Sequence, residues 1–320
     1  LLIAAGALVT AANRYGVQPL SLACVNGNPA MIDILLTAGA DPNTRFAGGE
    51  TALMTAARTG IVGAVEKLLA HGANANATET WRSQTALMWA AAQKHPEVVE
   101  VLIEQGAELD ARSAILPLYT PKMINKRSGA LIEFYSKNVY FPKVKGGFTP
   151  LMFAGQAGAL DSARILLAAG AEVNAATPDD GSALVLASSN GHQEVALFLL
   201  KNGADPDATD GYGLTALHWA LQEGIVALFA RPSSTDRFWN HPNMPELVQS
   251  LLAHGANPNA RISRDFLPYD IQRFSHTRGN SLPQLGLTGG TPLLLAAAVS
   301  DLSAMRVLVE GGADPILATE

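Results

Sequence analysis

A chain of 320 residues can bury a large core, and at 48% hydrophobic, 16% charged and a net charge of −6 it is too apolar for intrinsic disorder. Its apolar runs are broken by Gly, Asn, Asp or Lys well short of the ~18–20 residues of a membrane span, and the single cysteine, Cys24, excludes an internal disulfide scaffold. Aromatic residues amount to only 6%, which makes their positions worth following.

The chain opens at Leu1 in the middle of a pattern, with no charged segment followed by an apolar one that would read as a secretion signal. We expect a piece of something longer, with further domains of the same parent chain. Residues 1–9 read as the second half of a repeating unit whose first half is missing. From there two phrases alternate. The first is Gln18-Pro19-Leu20, then Thr51-Ala52-Leu53, Thr85-Ala86-Leu87, Thr149-Pro150-Leu151, Ser182-Ala183-Leu184, Thr215-Ala216-Leu217 and Thr291-Pro292-Leu293. The second, Leu-Leu-x-x-Gly-Ala-x-x-Asn or nearly so, runs from Leu35, Leu68, Leu166, Leu199 and Leu251. Leu-to-Leu spacings are 33 (Leu20 to Leu53), 34 (Leu53 to Leu87), 33 (Leu151 to Leu184) and 33 (Leu184 to Leu217).

Each unit predicts two short helices. Thr or Ser caps the first, and Pro fits an early helical position because its missing N–H would be unpaired there anyway. Leu53, Ala56 and Ala57 recur at the spacing of one helix face. Gly60, Gly158 and Asn190-Gly191 end first helices. Val65, Leu68 and Leu69 form the buried face of a second helix that stops at Gly72, and the following Asn/Asp-rich stretch is turn chemistry. One such unit cannot bury its own face, so the units must stack.

These phrases resemble the ankyrin repeat, with its 33-residue period and Thr-Pro-Leu-His-x-Ala signature. Thr215-Ala216-Leu217-His218-Trp219-Ala220 is the fullest match. The resemblance implies an all-α ankyrin repeat solenoid of about seven repeats plus a half repeat, occupying 1–320 as a single array and covering roughly 70% of the chain. The wording of Gly49-Glu50-Thr51-Ala52-Leu53-Met54 and of Gln84 to Ala90 is similar to a group of long bacterial ankyrin proteins, many of them exported. That narrower likeness implies a bacterial source and a periplasmic or extracellular location.

Three inserts break the period, near 111–147, 225–244 and 260–290. By ankyrin geometry the first and third replace the finger hairpins between repeats, and the second separates the two helices of one repeat. The inserts hold 13 of the 22 basic residues but 4 of the 28 acidic ones, a net of +9, leaving −15 on the remainder. Eleven of 20 aromatics lie in them. Such segments read as ordered loops packed on the repeats, with the basic inserts docking on the acidic body. Ile132, Phe134, Val139 and Phe141 alternate with other residues like the strands of a small hairpin.

Motifs for catalysis are missing: no phosphate-binding Gly-rich loop, no His-Glu-x-x-His and no Gly-x-Ser-x-Gly occurs. We expect no enzyme, cofactor or metal. Cys24 reads as a buried core residue. His71 and His254 suit helix C-termini and His192 an interhelical turn; for the signature residue His218 the resemblance implies a hydrogen bond within its repeat, and His95, His241 and His276 are scattered.

The resemblance places the residue two after each signature Leu on the concave groove: Leu22, Thr55, Trp89, Phe153, Leu186, Trp219 and Leu295. Trp89, Phe153 and Trp219 make that groove a candidate protein-binding site, unless the inserts fold back and cover the rings. Fingertip residues Phe46, Trp81 and Tyr212 are further exposed candidates, and Tyr119, Tyr135, Tyr140 and Trp239 are candidates within the inserts. A protein-interaction scaffold with a partner of unstated identity is the reading these residues favour. Two alternatives stand beside it. The basic, aromatic inserts could bind an anionic polymer or nucleic acid, against the repulsion of an acidic body, or the chain could be the scaffold part of a larger enzyme or cofactor protein.

Overall fold

Where a Thr or Ser was expected to start a helix, one does. In the computed structural model the Oγ1 of Thr51 accepts the Met54 N–H at 3.3 Å, that of Thr85 the Met88 N–H at 3.4 Å, and that of Thr149 the Met152 N–H at 3.3 Å. The structure describes residues 3, 5–46, 48–117, 123–124, 131–132, 144–229, 242–263 and 288–317. They fall into two units, one of residues 1–116 with 146–175, the other of 117–145 with 176–320.

The first unit carries helices α1 (Pro19–Val25), α2 (Pro29–Thr37), α3 (Ala52–Thr59), α4 (Val62–Ala70), α5 (Ala86–Ala92), α6 (Pro96–Glu104), α7 (Pro150–Ala157) and α8 (Leu160–Ala168). At seven to nine residues these are too short to stand alone, and packing makes up the difference. Each pairs with its neighbour in sequence, while α1, α3, α5 and α7 pack side by side as one row and α2, α4, α6 and α8 as another. Leu53, Leu87 and Leu151 are buried between the rows, and the Ala residues around them let the helices approach. Gly60 ends α3 at φ +75°, a conformation other residues reach only with strain. No helix among the described residues precedes Pro19.

The second unit carries α9 (Ala183–Ser189), α10 (Gln193–Lys201), α11 (Ala216–Trp219), α12 (Gln222–Phe229), α13 (Pro245–Ala253), α14 (Pro292–Ala298) and α15 (Leu302–Glu310). Here α9 packs on α10 and α11, α10 on α13, α13 on α15, and α12 on α14. Residues 225–229, expected in an insert, instead form the end of α12, and Ile225 is buried. The first helix of that repeat is interrupted after four residues and resumes as α12.

Both finger inserts keep their roots. Ser113 N–H donates to the Phe148 carbonyl at 3.0 Å, and Ile262 N–H donates to the Gly290 carbonyl at 3.0 Å. Each insert therefore leaves from the tip of a finger whose base is still hydrogen-bonded. Inside the first insert, Met123 pairs with Ile132 and Ile124 with Leu131 in a two-residue antiparallel ladder. That ladder takes its second arm from the segment expected to form a hairpin and its first arm from residues upstream; Phe134, Val139 and Phe141 lie outside the described residues. So do Tyr119, Tyr135, Tyr140 and Trp239, and with them the expected docking of inserts on the repeats.

The turn-forming Asn residues also link successive repeats. Asn43 Nδ2 donates to the Gly72 carbonyl at 3.0 Å while its Oδ1 accepts the Asn74 N–H at 2.8 Å. One repeat on, Asn76 makes the same pair of bonds, to the Gly106 carbonyl at 3.0 Å and from the Glu108 N–H at 2.8 Å. Asn76→Ala should cost about 1–2 kcal/mol, because two bonds are lost at a partly wet site. Urea denaturation checks this, and an unchanged midpoint would remove the ladder from the stability account.

Candidate functional site

Row α3, α5, α7 positions the site. With each signature Leu pinned in the core, the residue two further on lies about 200° around the helix, away from that Leu. Trp89 and Phe153 are accordingly half-buried, and Leu22 is exposed. Thr55, Leu186, Trp219 and Leu295, expected on the same face, are buried instead.

Between these helices lies a cavity of about 200 Å³ lined by Arg58, Gln84, Met88, Trp89, Ala92, Gln93 and Phe153. The Arg58 guanidinium sits over the Trp89 ring, 5.4 Å from its centroid, a cation–π arrangement. Phe153 is held from behind by buried Phe148, with centroids 5.4 Å apart and planes at 60°. Phe148 is fixed in turn by the root of the first insert, where its N–H donates to Ser113 Oγ at 3.0 Å. His95 Nε2 lies 3.0 Å from the Arg58 carbonyl and donates to it, holding the end of α3 in place. On the finger before α5, the buried Glu79 carboxylate accepts the N–H groups of Trp81, of Arg82 at 2.6 Å and of Gln84 at 3.2 Å. This turn presents Trp81, 76% exposed, at its tip. Phe46, on the preceding finger, is half-buried.

Two candidates in the second unit need correction. Tyr212 is a fingertip residue only 8% exposed, its carbonyl accepting the Ser263 N–H at 2.9 Å. Trp219 is 9% exposed, and its Nε1–H donates to Asp210 Oδ2 at 3.0 Å. Asp210 Oδ1 also accepts the N–H groups of Tyr212 at 2.9 Å and Leu214 at 3.0 Å. Burial nevertheless raises its carboxyl to about 6, since three neutral donors do not replace water fully. Beside it, burial lowers His218 to about 4; its Nδ1 accepts the Thr215 N–H at 3.1 Å. These groups organise the repeat's core.

Burial pushes the Cys24 thiol up to about 12, so it carries no thiolate at neutral pH. Among the described residues no group of three His, Cys, Asp or Glu could hold a metal ion, and no helix is long and apolar enough to cross a membrane. His71 Nε2 lies 3.2 Å from Asp33 Oδ1, and that contact holds the Asp33 carboxyl below its ordinary value. His254 Nδ1 donates to the Ser250 carbonyl at 2.7 Å.

The chain belongs to the ankyrin repeat family: the model for ankyrin repeats in three copies matches residues 20–113 and 151–231, more than half of the sequence. Its fold is the mostly helical ankyrin repeat solenoid, also that of the human ASB11 ankyrin repeat domain, which aligns with TM-score 0.62 and 20% identity over 93% of this chain and 100% of that one. Similar relatives are ankyrin repeat and SOCS box protein 6 of Homo sapiens, 30% identical over 66% of this chain and 44% of its own length, and the B-cell lymphoma 3 protein homolog of Mus musculus, 26% identical over 69% and 44%. The Caenorhabditis elegans ankyrin repeat and KH domain-containing protein mask-1 is 29% identical over 67% of this chain, which is 9% of that protein. The chain thus spans less than half the length of these curated relatives. Ankyrin repeats generally mediate protein–protein interactions, and the fold is typically a scaffold without catalytic activity.

Reading the sequence alone missed Arg58, Gln84 and Gln93. A signal for Arg58 was present: it is the one charged residue on α1, α3, α5 and α7 together.

Proposed function

We propose that this chain is a protein-interaction scaffold whose contact face is the row of first helices with its fingers, and that the Trp89–Phe153 cavity is the anchoring point in the first unit. The observation that supports this reading is the cavity itself, walled by two half-buried rings on adjacent repeats. Aromatic anchors in such settings carry a large share of binding energy, commonly about 2 kcal/mol or more each.

The test is affinity capture from the native source with the full chain, comparing wild type with Trp89→Ala and Phe153→Ala. Proteins retained by the wild type should be lost from both variants, each losing affinity about tenfold or more. Equal retention by all three would move the contact face elsewhere, provided thermal melts show the variants folded.

A second reading is binding of an anionic polymer by the first insert, supported by its seven basic residues against one acidic residue in 111–147. It requires affinity that falls steeply with salt; salt-insensitive binding rejects it.

A further inference from the structure

We propose that the cavity at Arg58 selects an acidic partner segment. An aspartate or glutamate of the partner pairs with the Arg58 guanidinium while a neighbouring apolar side chain enters between Trp89 and Phe153. This rests on the contact face proposed above and adds the chemistry of what occupies it.

Four observations carry the inference. First, size: about 200 Å³ is below the ~300–1,000 Å³ of small-molecule sites and fits a single inserted side chain. Second, charge: the row of α1, α3, α5 and α7 bears Arg58 alone, whereas α2, α4, α6 and α8 bear six acids and two bases. An acidic segment is therefore attracted to the first row and repelled by the second. Third, availability: among the described residues the Arg58 side chain has no hydrogen bond or ion pair, so beyond its contact with the Trp89 ring its N–H groups have no acceptor and can grip a carboxylate. The nearby finger acid, Glu79, is already committed to three backbone N–H groups. Fourth, the first insert is a poor occupant, because with seven basic residues to one acidic it shares the charge of Arg58. Gln84 and Gln93 add neutral amide groups to the lining, suited to the backbone of an extended segment.

The experiment uses the full chain and a library of random 12-residue peptides displayed inside a loop of a carrier protein, so that no free carboxyl terminus is offered. Wild-type protein should enrich peptides with Asp or Glu beside an apolar residue. For the winning peptide, changing the acid to its amide should lower affinity at least tenfold, Arg58→Gln should do the same, and the two together should cost no more than either. Arg58→Glu should enrich Lys- or Arg-containing peptides instead, and Arg58→Lys should keep part of the original selectivity. Arg58 is exposed, so these variants are expected to fold.

Binders that need Trp89 and Phe153 yet tolerate Arg58→Gln and the loss of their acid overturn the acidic selectivity and leave the contact face standing. No binders, or only binders indifferent to all three residues, overturn the contact face as well. Binders that emerge only after removal of residues 118–143 assign the cavity to the chain's own insert and overturn the proposal.

Discussion

Gly224→Ala should destabilise the second unit by about 2 kcal/mol or more, although Ala favours a helix over Gly by ~1 kcal/mol. Gly224 lies within α12, and a Cβ there would run into the backbone of Leu295 on α14, its carbonyl oxygen first, then C at 2.6 Å and Cα at 2.8 Å. Backbone cannot rotate aside as a long side chain would, so α12 and α14 would have to separate. The buried side chains between them, Ile225 and Leu295 among others, would lose contact. Hydrogen exchange should rise over α12 and α14 while α3 to α6 keep their protection. A variant as stable as wild type, or more so, would show that the helices do not meet this closely.

The second large effect concerns pH. Asp210, raised by burial from 3.8 to about 6, binds its proton more tightly folded than unfolded, so its contribution to stability grows as pH falls through 6 and is complete below 4. A neighbouring acid, Asp180, adds a little to the rise. His218 does the reverse. Lowered by burial from 6.5 to about 4, it loses proton affinity on folding, and stability declines as pH falls from 6.5 to 4. Each effect is on the order of 3 kcal/mol, and over this window they nearly cancel. Asp210→Asn should uncover the histidine, so that stability drops on acidification; it also turns an amide N–H₂ toward the Trp219 N–H, lowering the baseline at every pH. His218→Asn should uncover the acid and make stability rise from pH 6.5 to 4. The check is the sign of the slope in urea midpoints across that range. Parallel slopes for both variants and wild type would remove these two groups as the source.

Much of the repeat was legible because its determinants are local. Thr51, Thr85 and Thr149 announce their helices through the N–H three residues on, and Leu53, Leu87 and Leu151 mark the core by spacing. Trp89 and Phe153 were found through the resemblance to ankyrin repeats, which places the residue two after each signature Leu on the groove. Periodicity gives a direction from the helix axis but not what stands there, and so Trp219 was misread: α11 stops after four residues and the buried Asp210 carboxylate receives its N–H. Tyr212 failed for a related reason, since Ser263, 51 residues away, closes over its finger. Arg58 was passed over because a lone charge on a short helix reads as solvated; only the juxtaposition with Trp89 gives it a role. The Gly224–Leu295 approach, between helices separated by an insert, has no signature in sequence.

The Asn ladder has a consequence for where such a chain can grow. The bond that Asn43 Oδ1 accepts from the Asn74 N–H spans 31 residues, whereas the equivalent bond of Asp110, whose Oδ1 accepts the Glu172 N–H at 3.0 Å, spans 62, and that of Asn259 from the Asp314 N–H spans 55. The same rung closes whether or not an insert lies between its ends. Fingertips therefore act as grafting sockets: a segment of almost any length enters there with its two ends already clamped, and each doubling of its length adds only ~0.6 kcal/mol of closure entropy. New surface can accumulate at these points while the helices that carry the cavity stay in register.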